Sequence, residues 1–151
     1  MPPDFLCKFG DITNPNNIRP MKPSTAPLDA LLETIRTLRS DSGCPWDRRQ
    51  TPASLKKHLQ AECEELLAAI DNDDHANVRE ELGDVLYLLL MIARIHEEQG
   101  HFDHAAVIET INAKLIRRHP HVFAGTTWES EEQLRTQWQA IKEQEKREKN
   151  I

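Results

Sequence analysis

The segment from Glu81 to Ile95 constrains this chain more than any other. Between Val85 and Ala93 it reads VLYLLLMIA. Wound as a helix, that run is apolar on nearly every side, and such a helix has to be covered all round, within a bundle or between subunits. At about 100° per residue, Glu81 and Asp84 fall on the same strip as Leu88, Met91 and Ile95. A buried carboxylate costs several kcal/mol unless it is paired or bound to a metal. No Lys or Arg lies one turn away along the strip, so the two acids call for a cation from elsewhere. Gly83, between them, costs about 0.5–1 kcal/mol relative to Ala in a helix interior, which suggests a closely approaching neighbour.

A second acid pair, Glu62 and Glu65, lies in the preceding segment. Leu55, Leu59, Cys63, Leu66 and Ile70 recur there at steps of four and three, which predicts a helix from about Thr51 or Pro52 to Ile70. Glu62 falls at the edge of that stripe and Glu65 further round, with His58 between them in angle. Taken alone, the pair reads first as a solvated face. The polar link from Asn72 to His75 is too short for anything but an antiparallel return into a helix from about Ala76 to Glu98. That hairpin puts the two pairs within reach of each other. Four acids from two helices make a hard, oxygen-lined site suited to Mg²⁺ or Mn²⁺.

The remaining chain reads as three further helices and two irregular stretches. Residues 1–27 hold six of the nine prolines among Asn and Thr, with no helical or strand period, and read as an irregular arm. A domain over residues 28–149 follows. It opens with a helix marked by Leu28, Leu31, Leu32, Ile35 and Leu38, which ends before Ser42 and Gly43. The next loop, SGCPWDRRQT, carries Trp46 and Asp47; a Trp in a loop is more often a core anchor than a platform for a base. Beyond Gly100, Asp103 is placed to cap a helix with Val107 or Ile108, Ile111 and Leu115 inward. Lys114, Arg117 and Arg118 near its end serve either the helix dipole or a phosphate. A capping box from Ser130 to Gln133 opens a last helix with Leu134, Trp138 and Ile141 on one face, charged throughout from Lys142.

The fold class expected is therefore all-α, a bundle of about five helices completed by dimerisation or higher association. A net charge of −6 leaves no general footprint for nucleic acid. Cys7, Cys44 and Cys63 lie far apart with no zinc-like spacing, which fits a reducing cytoplasm. The longest apolar run is about half the roughly 18 residues a membrane span needs.

The wording of the motifs is more specific than their periodicity. GCPWDRRQT, the E-x-x-E of Glu62 and Glu65, the E-x-x-D of Glu81 and Asp84, KLIRRHPHVF from Lys114 to Phe123, and WQAIKEQEK together resemble the MazG family of nucleoside triphosphate pyrophosphohydrolases, over roughly Leu28 to Lys146. The resemblance implies an all-α, oligomeric enzyme that uses Mg²⁺ to hydrolyse nucleoside triphosphates to monophosphate and pyrophosphate. It implies Glu62, Glu65, Glu81 and Asp84 as metal ligands and catalytic groups, with Glu62 or Glu65 as an alternative general base. Lys114, Arg117 and Arg118 would hold the triphosphate, and Trp46 and Asp47 belong to the substrate loop. Two further readings stay open: an enzyme narrow for dUTP, dCTP or a phosphoribosyl-nucleotide, and a non-catalytic helical dimerisation module.

Overall fold

The computed structural model describes residues 27–149, and among them the regular structure is all helical. It consists of α1 (Pro27–Arg39), α2 (Pro45–Arg49), α3 (Pro52–Asp71), α4 (His75–Glu98), α5 (His104–Arg118), α6 (Pro120–Phe123) and α7 (Glu131–Lys149). The five expected helices are present. The two additional ones, α2 and α6, are short and each opens on a proline, whose fixed φ suits a first helical turn and whose missing N–H goes unneeded there. Trp46 thus sits on a turn of helix and not in an open loop. The expected arm, residues 1–27, lies outside the described residues except for Pro27, the first residue of α1. The chain divides into two compact units, one ending at Asp103 and the other beginning at His104.

In the first unit α3 and α4 form the antiparallel hairpin. Thr51 and Ser54 exchange capping bonds at the start of α3, with Pro52 in its first turn. The return is made by Asp73, which adopts φ 54° while its N–H bonds to Ile70 and that of Asp74 bonds to Ala69. Asp74 then caps α4 by accepting from the Asn77 N–H. This is a left-handed helix stop in which Asp takes the place more often held by Gly.

The buried line of α3 runs Leu55, Glu62, Ala69, a step of seven, with Leu59 and Leu66 half-buried beside it. This corrects the sequence stripe. Cys63 is only half-buried and Ile70 is exposed, because close packing along the whole hairpin follows the seam facing the partner helix, so Glu62 and Ala69 take core places. On α4 the seam is Glu81, Leu88 and Ile95, with Asp84 and Met91 alongside; Leu88, Met91 and Ile95 are fully buried. Leu32 and Ile35 of α1 join this core, and Leu31, Trp46, Leu59, Tyr87 and Ile92 pack against it. Leu28 stays exposed.

Arg39 ties the end of α1 to its neighbours. Its guanidinium donates to both oxygens of Glu98 and to the carbonyls of Asp47 and Gln50, so one side chain satisfies the C-terminal end of α2 and the end of α4. Such multiple charge-assisted bonds are what a planar guanidinium can make and an ammonium cannot.

Two glycines behave differently from one another. Gly83 has open space where a Cβ would project, so the close neighbour expected there is absent; the helix face it occupies is exposed. Gly43 is where space is short: a Cβ would collide with the carbonyl oxygens of Thr37 and Leu38, at a tight turn held by Gly43 N–H to Ser40 and Cys44 N–H to Leu38.

In the second unit α5 packs on α6 and α7 and buries no residue. Val107, Ile108, Ile111 and Leu115, expected inward, are 44–48% exposed. What joins α5 to α7 is ionic: Arg117 and Arg118 both reach Glu145. The α7 start resembles the expected box, with Ser130 accepting from Gln133 N–H and the Gln133 side chain accepting from Glu129 N–H.

Gly43→Ala should destabilise the protein by roughly 1–3 kcal/mol, the usual range for forcing an extra carbon into a filled space, while Gly83→Ala should be neutral or stabilising. Urea unfolding of both variants, compared at equal m-value, checks the pair.

Candidate active site

The seam of the α3–α4 hairpin is where the acids meet. Glu62 is only 1% exposed and Glu81 7%, and Asp84 is half-buried. One carboxylate oxygen from each lies within 4.8 Å of the others. Among the described residues, both oxygens of Glu62 and Oε2 of Glu81 are buried with no hydrogen-bond partner. Buried polar groups in folded proteins nearly always have partners, and leaving a charged one without any costs more than a typical hydrogen bond contributes. The acids take core positions: Glu62 lies on the buried line of α3 with Leu55 and Ala69, and Glu81 is among the buried residues of α4 with Leu88, Met91 and Ile95.

Crowding and burial hold protons on the site. The Glu62 carboxyl is pushed up to about 7, first by burial and then by the charges of Glu65, Asp84 and Glu81. Glu81 is raised by burial and by Glu65 and Asp84, and Asp84 by burial, Glu80 and Glu65. Like charges at short range disfavour ionisation together, and a bound cation reverses that preference. Glu65, half-buried on α3, is not one of the three converging groups, but its charge acts on all of them.

The residues present fit a hard divalent cation. The donors are all carboxylate oxygens, they converge from two rigid helices, and three of their oxygens are orphaned. Oxygen donors of this kind suit Mg²⁺, Mn²⁺ or Ca²⁺.

The substrate-loop residues have defined settings. Trp46 packs against the core of the first unit and meets His58 edge-on, with ring centroids 5.5 Å apart. Burial and the neighbouring Lys57 lower the affinity of His58 for a second proton. Asp47 is buried, and its carboxylate accepts the hydroxyl hydrogen of Tyr87. Burial, followed by that bond, raises the Tyr87 pKa well above the phenol range. Tyr87 was hidden in the sequence within an apolar run, where only a hydroxyl among aliphatics marked it.

In the second unit the Arg117 and Arg118 side chains close on one carboxylate. Arg117 Nε lies 2.7 Å from Glu145 Oε1, and Arg118 donates Nε and Nη2 to Oε2 at 3.1 and 2.6 Å. Arg118 also lies over the Trp138 ring, as does Lys142, whose Nζ is 4.8 Å from the centroid. Lys114 is half-buried on the same helix as the arginines. Glu145 escaped sequence reasoning because it lies in a run where nearly every residue is charged and no periodicity singles it out.

These features coincide with what comparison to known proteins finds. The MazG nucleotide pyrophosphohydrolase domain matches residues 50–123, a span that contains all four acids and Lys114, Arg117 and Arg118. The crystal structure of a mazG-related protein from Thermotoga maritima superposes with a TM-score of 0.65 at 32% identity, over 76% of this chain and 98% of that one. The family model and the solved structure agree with each other and with the all-α hairpin, and the chain belongs to the MazG family. It is 47% identical over 112 residues to the uncharacterized protein YabN of Bacillus subtilis, covering 74% of this chain and 23% of that protein. It is 46% identical over 126 residues to the nucleoside triphosphate pyrophosphohydrolase/pyrophosphatase MazG of Thermotoga maritima, covering 83% and 48%. The chain therefore spans less than half the length of these curated relatives.

A carboxyl raised in the folded state stabilises it fully below the unfolded value of 4.5 and loses that contribution as pH rises through the folded value of about 7. The metal-free protein should accordingly melt at lower temperature at pH 8 than at pH 5.5. Mg²⁺ should restore the loss at pH 8 through binding to the folded state. In Glu62→Gln, a neutral isostere, the pH effect should shrink and the Mg²⁺ effect weaken by about tenfold in apparent affinity, about 1.4 kcal/mol. Scanning calorimetry at the two pH values, with and without Mg²⁺, measures both.

Proposed function

We propose that this domain is a Mg²⁺-dependent nucleoside triphosphate pyrophosphohydrolase, which attacks the α phosphorus with water and releases a nucleoside monophosphate and pyrophosphate. The observation that supports it is the convergence of Glu62, Glu81 and Asp84 with three orphaned, buried oxygens. A non-catalytic scaffold has no use for that arrangement. Glu62, Glu81 and Asp84 would hold the metal, with Glu65 completing the acid set. A bound divalent ion supplies charge neutralisation for the triphosphate and the departing pyrophosphate.

The chain's own residues would do the rest. Glu65, or Glu62 where it does not hold the metal, would take the proton from the attacking water as the new P–O bond forms and the bond to the bridging oxygen breaks. Lys114, Arg117 and Arg118 would contact the phosphate oxygens, where a guanidinium matches two oxygens at once. Trp46, held against the core and His58, would serve the base-facing side as a rigid edge.

Association with a second copy completes the proposal. Helix α4 leaves Leu82, Leu86 and Leu89 between 42 and 53% exposed along one face, and α5 leaves Val107, Ile108, Ile111, Leu115 and Ile116 open. Among the described residues no helix is long and apolar enough to cross a membrane, so a further protein surface is the natural cover for these faces.

Incubation with each NTP and dNTP plus Mg²⁺ should release pyrophosphate, and silence on all of them would sink the reading. Glu81→Gln and Asp84→Asn should each lower turnover by about 10²-fold or more, in line with losing a group that supports charge development, with far-UV circular dichroism unchanged. Full turnover in either variant would remove those residues from the site. Light scattering at micromolar concentration should give a dimer or larger species, and a monomer would refute the association.

A further inference from the structure

In the Arg117–Arg118–Glu145 cluster, one carboxylate serves two arginines. Each guanidinium turns its Nε and Nη2 edge to one oxygen of Glu145: Arg117 to Oε1 and Arg118 to Oε2. Fork contacts of this kind fix both the position and the plane of a guanidinium. Nη1 of each arginine takes no part in the fork. The Glu145 side chain is 10% exposed and that of Arg118 18%, whereas that of Arg117 is 54% exposed. Both arginines are therefore anchored on Glu145, with Arg117 open to a ligand and Arg118 exposed only in part.

The charge balance matters as much as the geometry. A carboxylate that merely neutralised cations would be matched one to one. Here one anion faces two arginines, and Lys142 adds a third cation across the Trp138 ring, which Arg118 also covers. The cluster keeps a surplus of positive charge in fixed positions, which suits a ligand with several negative oxygens. Glu145 remains ionised throughout the neutral range, its pKa lowered to about 2 chiefly by the Arg118 hydrogen bonds and further by Arg117, so the anchor does not release by protonation.

We infer that Glu145 is a positioning residue for polyphosphate recognition: it holds Arg117 and Arg118 at a fixed separation and orientation so that their outer edges meet a polyanion together. This rests on the phosphate-binding role proposed above for the two arginines. It adds that the acid helps binding although its own charge opposes the ligand. A carboxylate acting as a competing latch would have the opposite effect, because its removal would free the arginines and tighten binding.

The test compares the full chain with Glu145→Ala and Glu145→Gln in Mg²⁺ buffer. Two measurements are made: steady-state hydrolysis of a nucleoside triphosphate, and calorimetric titration with inorganic triphosphate, which needs no turnover. Glu145→Ala should raise KM and the triphosphate Kd by about tenfold, about 1.4 kcal/mol, with kcat changed much less. Glu145→Gln, which keeps one acceptor oxygen, should fall between Ala and wild type. Unchanged or lowered KM and Kd in Glu145→Ala would overturn the inference, as would a fall in melting temperature with no change in Kd, the signature of a merely structural staple. If Glu145→Ala does not fold, Glu145→Gln decides by the same criteria. A wild-type chain that hydrolyses no nucleotide defeats the proposed function, while the triphosphate titration still decides the role of Glu145.

Discussion

Burial of carboxylates in the seam of a helical hairpin is the constraint on which the first unit depends. Helices α3 and α4 interlock every seven residues, and at one level of that seam the interlocking residues are Glu62 and Glu81 where an ordinary hairpin would have Leu or Ile. The adjoining levels are apolar: Leu55 on α3, and Leu88, Met91 and Ile95 on α4, are fully or almost fully buried. Glu62 and Glu81 are buried beside these apolar levels, and Asp84 is half-buried. Glu62 is left with two orphaned oxygens, a state that hydrophobic packing elsewhere in the hairpin maintains.

The surrounding elements stiffen that hairpin and place the loop beside it. Arg39 binds the end of α4 through Glu98 and the end of α2 through two carbonyls, and the Tyr87 hydroxyl binds Asp47. Together they fasten the short helix that carries Trp46 to the same scaffold as the acids. The sequence motif around Trp46 and Asp47 therefore has a structural explanation beside any contact with substrate: Asp47 is a buried acceptor, and Trp46 is seated on the core and on His58. The second unit is built on a different principle. Its α5 buries nothing, and its contact with α7 runs through charged groups, with the arginines' charge shared over one carboxylate and an aromatic ring.

Sequence reasoning located the helices wherever periodicity was long and strong, as in α3 and α4, and it located the acids because their spacing and lack of local counter-charge are visible in one dimension. It misjudged features that depend on what faces a residue. Gly83 reads as a sign of close approach, yet the space beside it is open, since helical spacing says which residues share a face and nothing about what covers it. Val107, Ile108, Ile111 and Leu115 read as a core stripe and are exposed, because an apolar stripe on α5 records a need for cover that α6 and α7 do not meet. The short helices α2 and α6 escaped because a single turn opened by proline has no period to detect.

By itself, then, the sequence determined an all-α fold, the antiparallel hairpin and, through the order of its motifs, the family, and it offered four acids as candidates. Only the tertiary structure decided which acids converge. Glu62 moved from the edge of a helix stripe to the centre of a seam, and Glu65 from one of four equal candidates to a neighbour acting through its charge. Only the tertiary structure, too, joined Arg117 and Arg118 to Glu145, across more than two dozen residues of chain. The physical reason is the same in each case. Secondary structure and side-chain spacing are local properties of the chain, whereas the energy of a buried charge is set by the groups that another part of the chain brings against it.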